Sequence, residues 1–149
     1  MFSVRPVQAT DAQAWLKMRS EFWSDGSQSE HAAEIDAFLR GTSSNPAAVL
    51  VADNGPLGLL GFVELSIRPC AEGCRTNHVG HLEGWYVVPE ARRRGVGRAL
   101  VEGAEAWARA QGCSEFASDA QADKEASVAA HIALGFGDAG LIRCFTKAL

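Results

Sequence analysis

The run "RRRGVG", Arg92 to Gly97, sets three guanidinium groups beside two glycines in a chain whose charge balance is otherwise acidic. The residues after it, "RALVEGAEAWARAQG", carry apolar side chains at helical spacing, so the glycines stand where a helix begins. Gly95 and Gly97 let a ligand approach the backbone closely. The first helical turn leaves N–H groups without acceptors and carries a partial positive charge. Arg92, Arg93, Arg94 and Arg98 add charge-assisted hydrogen bonds and long-range attraction for a polyphosphate. The chemistry implied is anion binding. It is not that of a dinucleotide fold, which needs G-x-G-x-x-G after the first strand, nor of a P-loop, which needs G-x-x-x-x-G-K-[ST].

A second chemical feature lies just upstream. Glu83 falls within the strand-like run "HLEGWYVV", and a carboxylate in mid-strand is costly unless solvated or paired, which predicts a cleft there. Alternation along a regular strand puts Glu83 and Trp85 on the same face. A carboxylate so placed can bind an ammonium group and receive its proton. His78 and His81 flank the same strand, and no metal-ligand spacing supports them.

The elements that must hold these groups follow from periodicity. "FSVRPV" reads as a short strand, and "DAQAWLKMRSEFW" as a helix with Trp15, Met18 or Arg19, and Phe22 on one side. "SEHAAEIDAFLRG" is a second helix placing Ala32, Ile35, Phe38 and Leu39 on one face. "AAVLVAD", "NGPLG" and "LLGFVELSIR" form a β-hairpin, and the strand "HLEGWYVV" follows the loop "PCAEGCRTN". A helix lined by Val96, Ala99, Leu100, Ala104 and Trp107 comes next, then the strand "SEFASD", a helix over "DKEASVAAHIALG" and a last strand, "LIRCFTKAL". His131 falls on the apolar face of that last helix and reads as a packed histidine. The order predicts an α/β (α+β) fold: a mixed sheet with helices on both faces, formed by residues 1–149 as a single domain.

Composition narrows the function. A net charge of -4 argues against general nucleic-acid affinity. No run approaches the roughly 18 apolar residues of a membrane span. Cys70, Cys74, Cys113 and Cys144 show no C-x-x-C spacing and read as reduced thiols, and a cytoplasmic location and the absence of a bound metal are expected.

Strand, then Arg92-Arg93-Arg94-Gly95-Val96-Gly97, then helix, resembles the [RQ]-x-x-G-x-[GA] acetyl-coenzyme A motif of the GNAT N-acetyltransferases, and the order of elements resembles that fold along the whole chain. "FVELSIR", "LEGWYVVPEARRRGVGRALV" and "ASDAQ...HIALGF" are similar to the bacterial aminoglycoside 6'-N-acetyltransferases. The resemblance implies acetyl-CoA as co-substrate, an aminoglycoside acceptor and a homodimer. It implies a splay between the central parallel strands, with a bulge at Gly84, and coenzyme contacts from the backbone of Trp85, Tyr86 and Val87 and from Arg93, Arg94, Gly95, Val96, Gly97 and Arg98. Glu83 and Asp119 match the acids that handle the acceptor amine, and Trp23 matches an aromatic that flanks the sugar. Tyr86 is the only tyrosine and belongs to the coenzyme strand, so no tyrosine acid for the departing thiolate is assigned. A different small polyamine or peptide amine as acceptor, or a non-catalytic coenzyme A-binding module, would share the same cofactor motif.

Overall fold

A computed structural model describes residues 1–149. The strands are β1 (Ser3–Pro6), β2 (Ala48–Asp53), β3 (Leu59–Arg68), β4 (Val79–Val87) and β5 (Glu115–Ser118). The helices are α1 (Ala12–Phe22), α2 (Gln28–Leu39), α3 (Val96–Ala110) and α4 (Glu125–Ala133). The sheet runs β1-β2-β3-β4-β5, antiparallel except for the β4/β5 pair, which is parallel. A right-handed crossover through a helix is the usual way to join such a pair, and α3 provides the helix here.

Strand alternation divides the core between two faces. Leu50, Ala52, Val63, Leu65 and Leu82 pack under α3 with Val96, Leu100, Val101 and Ala104. On the other face Val49, Val51, Phe62 and Tyr86 meet Trp15 and Met18 of α1 and Ile35 of α2. The mixed sheet with helices on both faces is thus as the periodicity predicts. In α2 one position differs: His31 is buried while Ala32 is exposed, because the ring of His31 joins a buried polar network under α1.

The expected last strand does not form. Residues 141–149 make no backbone–backbone hydrogen bond, and Leu141, Ile142 and Phe145 stand exposed. A β-rich pattern specifies a strand only where a neighbouring strand is available, and within the chain nothing pairs with this segment.

Candidate active site

Two features of β4 create the site. The first is where its neighbour stops. β5 pairs with β4 only from Val79↔Glu115 to Leu82↔Ser118, so from Glu83 onward the β5-facing edge of β4 has no partner strand. The N–H of Val88 bonds to Leu60 O of β3, so the N–H of Val87, one residue earlier, points to the opposite, open edge. The Val87 carbonyl accepts from Arg92 Nε at 2.8 Å, tying the open edge to the arginine loop.

The second feature is a bulge. Glu64 pairs with Gly84 and Leu65 with Leu82, leaving Glu83 as an extra residue on β4. The bulge corrects one expectation and bears out another. Glu83 and Trp85 do not share a face: Glu83 turns toward Ser66 and Arg68 of β3, whereas Trp85 packs with the α3 core. The extra residue, Glu83, stands beside Gly84, where a bulge is expected, and directly after Leu82, the last residue of β4 that pairs with β5, so the bulge sits where the two parallel strands part. A Cβ at Gly84 would lie 2.6 Å from Cη2 of Trp23, so the missing side chain is what lets the Trp23 ring rest on the strand.

Around the bulge the side chains form one polar cluster. Arg68 grips Glu83 with both arms, Nε to Oε1 at 2.8 Å and Nη2 to Oε2 at 2.6 Å, and Ser66 Oγ donates to Oε1. Burial alone would raise the Glu83 carboxyl, but Arg68 and Ser66 outweigh it and hold it below the ordinary carboxylate range. His81, only 3% exposed, stands beside Glu83 with Nδ1 3.3 Å from Oε1. Asp119, just beyond the end of β5, is well exposed and lies 4.0 Å from His81 Nε2. The structure therefore brings Glu83 and Asp119 together around His81, at the point where β4 and β5 part.

Trp23 forms the wall on the α1 side. Its ring packs edge-on against Phe22 with centroids 4.7 Å apart, and the Arg19 guanidinium lies 5.0 Å from its ring centroid. Arg19 is itself fixed from below by the buried Glu64, Nε to Oε2 at 2.7 Å, a carboxylate that also accepts from Trp15 Nε1 at 3.1 Å. Arg19 can only donate, so His31 Nδ1 accepts from its Nη1 at 3.2 Å and His31 Nε2 donates to Trp23 O at 3.0 Å.

The arginine and glycine loop occupies the opposite end of the open edge. Gly95 caps α3 with φ 84°, a left-handed conformation that favours glycine. Gly97 faces the Trp85 indole, where a Cβ would come within 3.3 Å of Cζ2. Arg92 is absorbed by Val87 O and by the Tyr86 ring, 5.7 Å away. Arg93, Arg94 and Arg98 are exposed and paired with no carboxylate, beside the unpaired N–H groups of the first turn of α3. Three uncompensated cations at a helix N-terminus fit a pyrophosphate.

Tyr86 points away from this edge. Its hydroxyl donates to Glu21, and burial together with that carboxylate pushes it up to about 12. His131 of α4 packs edge-on against Trp85, centroids 5.2 Å apart, and its Nε2 meets Ser118 Oγ at 2.7 Å. Ser66, Arg68 and Arg19 were not foreseen as parts of the site. The alternation Glu64, Ser66, Arg68 in "FVELSIR" is the signal that could have found the first two, since it places three polar residues on one face of a core strand. No three His, Cys, Asp or Glu side chains converge on a metal-sized site, and no helix is long and apolar enough to cross a membrane.

Comparison with known proteins bears directly on this geometry. The family model of the acetyltransferase (GNAT) family matches residues 12–136. Aminoglycoside N(6')-acetyltransferase type 1 from Klebsiella aerogenes is 56% identical, over 98% of this chain and 96% of that protein. The crystal structure of aminoglycoside 6'-N-acetyltransferase AAC(6')-IG from Acinetobacter haemolyticus is 35% identical with a TM-score of 0.89, covering 99% of each chain. AAC(6')-Iy in complex with the bisubstrate analogue CoA-S-monomethyl-acetylneamine is 28% identical with a TM-score of 0.90, covering 100% of this chain and 99% of that one. The chain belongs to the GNAT acetyltransferase family, and its fold is the GNAT fold.

Proposed function

We propose that this protein is an aminoglycoside 6'-N-acetyltransferase that moves an acetyl group from acetyl-CoA to the 6'-amine of the antibiotic by direct attack in a ternary complex. The observation that carries the reading is the position of the open β4 edge, which runs from the unpaired arginines of α3 to the Glu83 cluster. Arg93, Arg94 and Arg98 with the backbone of Gly95, Val96 and Gly97 hold the pyrophosphate. The backbone of Trp85, Tyr86 and Val87 offers strand-like hydrogen bonds to the pantetheine arm, and the thioester supplies the activated acyl group.

The outward N–H of Val87 stabilises the oxyanion formed as the amine attacks. Glu83, kept charged by Arg68 and Ser66, binds the ammonium form of the acceptor, and Asp119 completes a negative rim on the far side of the splay. Trp23 presents its ring to the sugar. Resistance to aminoglycosides follows from acetylating the amine that these drugs carry as a cation.

A homodimer is part of the same proposal. Leu141, Ile142, Phe145 and Leu149 are exposed on a tail with no ladder hydrogen bonds, and each apolar side chain of this size gains about 1.5–3 kcal/mol on full burial. A second copy covers them, and sedimentation of a chain ending at residue 140 should show a monomer. A cytoplasmic location, where acetyl-CoA is at hand, is part of the same proposal. The test of the function is thiol release from acetyl-CoA with aminoglycosides bearing either an amine or a hydroxyl at the 6' position. Turnover with the amines alone is expected, and equal turnover with both, or with neither, would overturn the reading.

A further inference from the structure

One buried titratable group has no task in the chemistry above. His81 lies on β4 with Ser66 of β3 and Ala117 of β5 as its strand neighbours, almost entirely out of solvent. Its Nδ1 has no hydrogen-bond partner: Glu83 Oε1 is 3.3 Å away but out of line with the ring N–H direction. A buried polar atom without a partner is expensive, and in a functional cluster it marks a place that something fills in another state. Nε2, on the other side of the ring, is 4.0 Å from Asp119 Oδ2. The charged groups around the imidazole are Glu83 on its own strand, Arg68 from β3 and Asp119 from the end of β5.

We propose that His81 is a positioning residue of the acceptor site, which carries the proton shed by the attacking amine from Glu83 to Asp119. The inference rests on the acetyltransferase reading. Glu83 is well placed to hold an ammonium group and poorly placed to keep its proton, because Arg68 and Ser66 already donate three hydrogen bonds to it, leave about one acceptor site free, and favour its charged form. An imidazole starts roughly two pH units above a carboxylate as a base. Burial and Arg68 lower His81 from there while Glu83 and Asp119 oppose them, which leaves the resting ring neutral near pH 7. A proton on Oε1 turns the idle contact with Nδ1 into an O–H···N hydrogen bond after a small rotation of the ring.

The balance is simple. The N–H bond of the ammonium breaks and its electron pair stays on nitrogen, which then attacks the thioester. The proton passes to Glu83 Oε1 as the Ser66 hydroxyl turns its hydrogen away, and on to Nδ1, and Nε2 releases its own proton to Asp119 through one water that bridges the 4.0 Å between them. Asp119 is exposed and returns that proton to water. No electrons change hands, and the ring ends neutral in the other tautomer, resetting by rotation or by exchange through the same acids.

The test replaces His81 with residues that keep size and polarity without titrating, His81→Gln and His81→Asn. Both are expected to lower kcat by roughly 10 to 100-fold, with coenzyme A affinity and melting curve retained, and to remove from the kcat–pH profile an inflection in the histidine range. A second readout needs no turnover: NMR titration of the His81 ring in the whole protein. Its apparent pKa is expected to fall in Glu83→Gln and in Asp119→Asn, and to move when an aminoglycoside is added. Unchanged kcat and pH profile in both His81 variants, or a ring titration indifferent to both acids, would overturn the proposal. A wild-type enzyme that releases no thiol would instead remove the functional reading, and the ring titration would still decide whether His81 couples the two acids.

Discussion

The proposed donor and acceptor halves of the site are built by different means. The donor half is backbone: an unpaired strand edge, a left-handed glycine and a helix N-terminus, with arginines that need no fixed partner. The acceptor half is side chain on side chain, with Arg68, Ser66 and Glu83 locked together across β3 and β4, and Arg19, Glu64 and His31 locked beneath Trp23. Backbone devices tolerate substitution of any one neighbour. A cluster whose members satisfy one another fails when one member is removed, because the remaining charge is left buried.

That contrast predicts a graded set of effects. The largest falls on Arg19→Met, which leaves Glu64 charged at 2% exposure and should cost about 3–5 kcal/mol of stability, read as a fall in melting temperature. Next, Glu83→Ala should reduce turnover by roughly 10 to 1,000-fold and Asp119→Ala by the lower part of that range. Steady-state kinetics that show neither change would take both acids out of the mechanism. Smaller still is Gly84→Ala, whose methyl displaces the Trp23 ring and should raise KM for the aminoglycoside several-fold while KM for acetyl-CoA stays put. On the donor half, Arg94→Ala should raise KM for acetyl-CoA only a few-fold, with less effect at high salt, since the neighbouring Arg93 and Arg98 remain.

The smallest effect concerns pH. Glu83 is held below its ordinary value in the folded chain, so its pairing with Arg68 contributes stability that is full above the unfolded carboxylate range and fades as pH falls through the folded value. Glu83→Gln should therefore flatten the acid limb of the stability curve, measured by denaturant unfolding between pH 6 and the acid transition at roughly pH 3.

What was legible in the sequence divides along the same line. "RRRGVG" between a strand and a helix is a local pattern, and local chemistry decides it, so the glycine-capped helix start with its exposed arginines and the two-faced sheet could be read directly. The hairpin and the period of α3 were equally plain. The acceptor half depends on a register shift between Glu64 and Leu65 that no single strand announces. One extra residue turned Glu83 away from Trp85 and toward Arg68, reversing the face that simple alternation gives. His81 was visible only as a histidine beside the strand, because its neighbours Ser66 and Asp119 come from two other segments. The tail after Gly140 reads as a strand by composition, yet no edge within the chain receives it.

The separation of the two halves is tested most directly by equilibrium titration of Glu83→Gln with coenzyme A and with an aminoglycoside. The variant is expected to bind coenzyme A as the wild type does and to bind the aminoglycoside at least 10-fold more weakly. Loss of both affinities together, or of coenzyme A affinity alone, would contradict the division of the site into a backbone-built donor half and a side-chain-built acceptor half.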